Sequence, residues 1–261
     1  MKIDNSIVNQ YIDGEPSFVY SKHWVYSEIV PGQHLFTEPD VTRAIEVKGY
    51  RDQIAGVCTN FTLRNCNIVF EVFDNVSSII ENANILFTVG LPEMYDAMVR
   101  EHNGEAYVII DLINFSNYID SGNELSDLAS NFLSHELIHV LINAKYPQED
   151  FDYIGYLNFI SFHEGFAHLF SYRENIMQYQ PDDTYKERFN TAKNKLITAL
   201  KETDPELCQR YSFEANGGKY WDKFGSISSM LYLMKHLDSL KSIYERGWRG
   251  FTNEIISYDW D

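Results

Sequence analysis

The hydrophobic pattern changes character once along this chain, near residue 123. Before that point apolar residues cluster in short β-rich runs, at 67–73, 84–89 and 106–112. After it they recur at three- and four-residue steps over long stretches, the repeat of a helix with one buried face. Gly90 closes the second run and Asn103-Gly104 opens the third. Val19-Tyr20 and Trp24-Val25-Tyr26 suggest two further short strands. Residues 40–57 read as a helix capped by Asp40, and 92–101 as a short helix. In the second half, helices are expected over 125–144, 157–178, from an Asp182-Asp183-Thr184 cap to about 202, and over 219–237. The expected fold class is α+β. An N-terminal mixed α/β lobe with a small sheet (1–123) precedes a C-terminal helical lobe (124–261), in one domain without a linker-like stretch.

The first of those helices carries His135-Glu136-Leu137-Ile138-His139, an HExxH pattern. Leu128, Phe132, Leu133, Leu137, Val140 and Leu141 supply its apolar repeat. A four-residue spacing puts His135 and His139 one turn apart on one face, where two imidazoles can bind one Zn2+ ion. Glu136 is rotated to the side of that face, so it can act on a metal-bound water without being a ligand. The position six after His139, where a metzincin site has its third histidine, holds Lys145.

A catalytic zinc site needs a third protein donor, and the next helix offers three candidates in Phe162-His163-Glu164-Gly165-Phe166-Ala167-His168. Glu164 would complete a His2Glu set. His163 or His168 would instead make a three-histidine set. Neighbouring helix residues point about 100° apart, so His163 and Glu164 do not easily share one metal. His168, a turn after Glu164, can hydrogen-bond that carboxylate or a ligand histidine. His23, His34 and His102 lie in weakly patterned segments and read as ordinary surface or core residues.

Composition narrows the partners. Thirty-eight acidic residues against 21 basic give a net charge of −17, a surface that repels phosphate backbones and anionic lipid, so neither nucleic acid nor membrane is an expected partner. The odd cysteine count (Cys58, Cys66 and Cys208, with no CxxC pair) argues against a disulfide framework. The polar start Met1-Lys2-Ile3-Asp4-Asn5 lacks a signal-peptide apolar core, which gives a cytoplasmic expectation. Asn60, Asn75 and Asn114 begin Asn-x-Ser/Thr sequons of little weight in that setting.

With HExxH on one helix and His163-Glu164-Gly165-Phe166-Ala167 on the next, residues 126–175 resemble the gluzincin metallopeptidases, most closely the branch whose third ligand sits in an Asn-Glu-Gly-Phe-Ala-type motif. Tyr220-Trp221-Asp222-Lys223-Phe224-Gly225-Ser226 is similar to a segment found downstream in such enzymes. The resemblance implies His135, His139 and Glu164 as zinc ligands, Glu136 as general base and Tyr220 as the donor to the oxyanion. Tyr153, Tyr156, Tyr172 and His236 are rival donors. The expected activity is zinc-dependent hydrolysis of a peptide or protein substrate by a zinc-bound water, with Glu136 taking its proton. The strand at 106–112 could offer a sheet edge to an extended peptide. The alternative is a zinc-bearing peptide- or protein-binding module without turnover.

Overall fold

The computed structural model describes residues 1–119, 124–172 and 175–260. The chain is α+β. Its strands are β1 (Lys2–Asp4), β2 (Asn84–Thr88), β3 (Ala97–His102) and β4 (Glu105–Asp111). Its helices are α1 (Ser6–Ile12), α2 (Ser17–Tyr20), α3 (Val25–Glu28), α4 (Ala44–Thr59), α5 (Cys66–Val72), α6 (Val76–Asn82) and α7 (Leu112–Ser116), followed by α8 (Leu125–Asn143), α9 (Tyr153–Tyr172), α10 (Asp183–Ala199), α11 (Pro205–Asn216), α12 (Phe224–Met234), α13 (Leu240–Arg246) and α14 (Phe251–Ser257). Two compact units result, one of Met1–Leu63 and Asn75–Val140, the other of Arg64–Asp74 and Leu141–Asp261. The expected lobe boundary at residue 123 falls outside the described residues. Among the described residues no helix is long and apolar enough to cross a membrane.

The first unit contains the sheet, in the order β1-β2-β4-β3. β1 and β4 both run parallel to β2, and β3 runs antiparallel to β4. Asn103 and Gly104 join β3 to β4 with φ values of +52° and +77°. Two left-handed residues make the tight turn whose twist suits a hairpin. That turn overrides the helix expected at 92–101. It returns Ala97–His102 along β4, with Ala97 opposite Ile110 and His102 opposite Glu105. β4 lies between β2 and β3, so 106–112 is an interior strand and not the edge proposed for substrate pairing. Val108 to Asp111 are accordingly buried without alternation.

Three other expected strand regions are helical. Val19-Tyr20 closes α2, and Val25-Tyr26 opens α3 directly after Trp24. The β-branched run at 67–73 forms α5, in the second unit. Val69 and Val72, one helical turn apart, are buried, while Phe70 between them is 55% exposed. Tertiary anchoring decides the outcome there. Asn65, left-handed at φ +53°, donates from Nδ2 to the Phe170 carbonyl (2.9 Å) and accepts from Ile176 N (2.9 Å). Phe73 packs edge-on to Phe166, Phe170 and Tyr244.

Asp111 ends β4 and starts α7, fully buried. Its carboxylate accepts from Ile113 N, Asn114 N, Leu91 N and Thr88 Oγ1 at 2.8–3.3 Å. Burial outweighs these bonds and pushes the carboxyl up to about 7 from 3.8. Between those values the folded chain holds a proton that the unfolded chain has released, so stability falls as pH rises from about 4 to about 7 and levels off above. Urea midpoints at pH 5 and pH 7 should show that decline in the wild type and lose it in Asp111→Asn. Asp111→Ala, which strands four donors, should cost at least about 3 kcal/mol at either pH. Nearby, the Asn114 amide donates to the carbonyls of Leu91, Pro92 and Tyr95, so this sequon asparagine is committed inside the fold.

Among its described residues the regular secondary structure of the second unit is all helical. α9 is buried from Ser161 to Phe170, and α12 along its whole length. These two helices pack on each other at Gly165, where an added Cβ would lie 2.5 Å from Ser229 Cβ. The Asp182 cap of α10 is present, accepting from Thr184 N and Tyr185 N. α11, absent from the sequence expectation, opens with Asp204 as cap and Pro205 in its first turn.

Candidate metal centre

α8 presents the HExxH residues within the first unit. His135 and His139 are half-buried, with Nε2 atoms 3.1 Å apart and rings at 78°. Two imidazole nitrogens can approach so closely only if one donates to the other or both lone pairs face a common cation. Glu136, 6% exposed, lies between them in sequence on the inner side of the helix. Its charge reaches Arg100 on edge strand β3. Burial lowers the affinity of that guanidinium for its proton, and the Glu136 carboxylate acts in the opposite sense.

α9 carries the other candidate donors within the second unit. Glu164 is 6% exposed and His168 8%. His168 Nε2 lies 3.5 Å from Glu164 Oε2, the one-turn pairing expected from the sequence. His163 is turned elsewhere, its ring 3.9 Å from that of Phe159 and tilted by 33°. A carboxylate so buried is costly to keep charged without a cation or strong donors beside it.

The hydroxyl candidates separate clearly. Tyr220 sets its ring edge-on to His168 at 5.2 Å, and its hydroxyl donates to Met230 Sδ at 3.4 Å. Burial raises its pKa, and the nearby Tyr172 and Tyr185 phenols add to the shift, so it holds its proton at neutral pH. Tyr156, two turns before Glu164 on α9, is also raised by burial and then by the Glu164 charge. Its hydroxyl bonds to no described residue and borders a cavity of about 480 Å3, also lined by Asp152, Tyr153, Cys208 and Ser212. Tyr153 donates instead to the Ala199 carbonyl, Tyr172 pairs with the Tyr185 hydroxyl, and His236 Nδ1 donates to the Tyr232 carbonyl. Of the remaining histidines, His102 pairs with Glu28 at 2.8 Å and stacks on Trp24, His23 packs against Trp24, and His34 bonds Ser27.

Arg100, beside the Glu136 charge, and Arg188, whose charge reaches Tyr220, are neighbours that sequence reasoning misses. Neither sits in a motif, and each owes its setting to residues distant in the chain. No protein family, curated protein or solved structure matches this chain.

Proposed function

We propose that the chain is a zinc-dependent peptidase of gluzincin type. The observation that carries this reading is the convergence of the His135 and His139 Nε2 atoms on a helix that places Glu136 beside them. Two imidazoles and a buried carboxylate make a donor set suited to zinc. Two such sets fit the reading. One is His135, His139 and Glu164, as the motif implies. The other takes His168 in place of His139, since His168 follows Glu164 by one turn and lies 3.5 Å from its carboxylate. Zinc bound there would supply acidity to a water and polarise a peptide carbonyl. Glu136 takes the proton of the attacking water and passes it to the leaving amine. Tyr220 or Tyr156 donates a hydrogen bond to the developing oxyanion. The three cysteines are free thiols, which suits a reducing, cytoplasmic setting for such an enzyme.

Zinc content of single variants tests the donor set. Under the motif set, His139→Ala loses zinc and His168→Ala keeps it, with affinity reduced about 10- to 100-fold through loss of its contact with Glu164. The reverse pattern assigns the third position to His168. Full zinc occupancy in both His135→Ala and Glu164→Ala would sink the site.

A further inference from the structure

We propose that Arg188, stacked on Trp221 at the end of the aromatic wall that leads to His168 and Glu164, anchors a carboxylate of the substrate. The inference takes its substrate class from the peptidase reading, although the anchor can be measured without turnover.

The chain pairs most of its other arginines with its own carboxylates: Arg43 with Glu46, Arg51 with Asp52, Arg210 with Glu214, Arg246 with Glu254 and Arg249 with Glu149. Arg188 is half-buried and makes no ion pair or hydrogen bond to a described residue, in a chain with 17 excess negative charges. Its guanidinium carbon lies 3.6 Å above the Trp221 ring and 5.6 Å from the Tyr185 ring. Stacking holds the guanidinium by its face and leaves the in-plane N–H fork directed outward, the arrangement that grips a carboxylate with two parallel bonds.

The position of this cation relative to the chemistry follows from consecutive contacts within the helical unit. Trp221 meets Tyr220 edge-on at 4.9 Å, Tyr220 meets His168 at 5.2 Å, and His168 lies 3.5 Å from Glu164. A wall built of such short steps spans at most about five residues of extended peptide. A peptide with its scissile bond at Glu164 would therefore present to Arg188 a carboxylate only a few residues away. Either the C-terminal carboxylate of a short product-side segment or an acidic side chain meets that requirement.

Binding of three peptides to the full chain tests the anchor: N-acetyl-trialanine, its C-terminal amide, and N-acetyl-alanyl-glutamyl-alaninamide. Indole fluorescence reports binding, and Trp221→Phe identifies the signal from the anchor. The free acid should bind at least tenfold more tightly than its amide, and Arg188→Gln should abolish that difference while keeping wild-type circular dichroism and zinc content. Tight binding of the glutamyl amide would show that a side-chain carboxylate serves, and weak binding that the C-terminus is read. Equal binding of acid and amide, a preference that survives in Arg188→Gln, or no binding of any of the three overturns the proposal. A chain without zinc or turnover that still shows the Arg188-dependent preference would overturn the peptidase reading and leave the anchor standing.

Discussion

Glu136→Gln should lose peptide turnover by about a thousandfold and keep its zinc. The substitution is isosteric, so the buried pocket that holds the side chain is preserved. The imidazoles one residue before and three residues after it keep their places on α8. The amide cannot accept the proton of the attacking water, which is the one role assigned to the carboxylate. It also removes the negative charge felt by Arg100 on β3, so a small change in stability is expected alongside the loss of rate. Single-turnover rates on a peptide substrate and metal content measured on the same preparation separate the two effects. Wild-type turnover in Glu136→Gln would remove Glu136 from the mechanism, whatever the metal content.

The second large effect is structural and lies one residue beyond Glu164. Gly165→Ala should destabilise the chain by about 3 kcal/mol, because α9 and α12 leave no room for a methyl group. The new Cβ would lie 2.5 Å from Ser229 Cβ and 3.3 Å from the Ser229 carbonyl carbon, so the helices must separate. Overpacking outweighs the gain of up to about 1 kcal/mol that alanine offers over glycine inside a helix. Ser229→Gly removes the atom that is struck. Its hydroxyl is buried with no hydrogen-bond partner among the described residues, so its loss forfeits little. The double variant Gly165→Ala/Ser229→Gly should recover most of the lost stability in urea denaturation. Additive losses would show that the clash is not the cause.

The donor residues were legible because their chemistry is local. HExxH needs only a helix, and α8 supplies it at the expected boundaries. Glu164 stands in a motif on the next helix, and His168 follows it by one turn. The helix caps at Asp40 and Asp182 are equally readable, since an aspartate two or three residues before a backbone N–H acts over a single turn. Residues 67–73 are helical against their β-branched composition, which carries no trace of Phe170 and Ile176, whose backbone groups bind Asn65 and draw the segment into the helical unit. The hairpin was half legible. Asn103-Gly104 marks a turn, but only the pairing of Ala97 with Ile110 shows that the residues before it form a strand. Arg188 was not legible at all, because an arginine on an amphipathic helix is ordinary until Trp221 is found beneath it.

Elemental analysis of the full chain, purified without added metal or chelator, tests the central claim most directly. About one zinc per chain, lost in His135→Ala, is the expected result. A chain that carries no zinc, and takes none up from micromolar zinc solution, would contradict it.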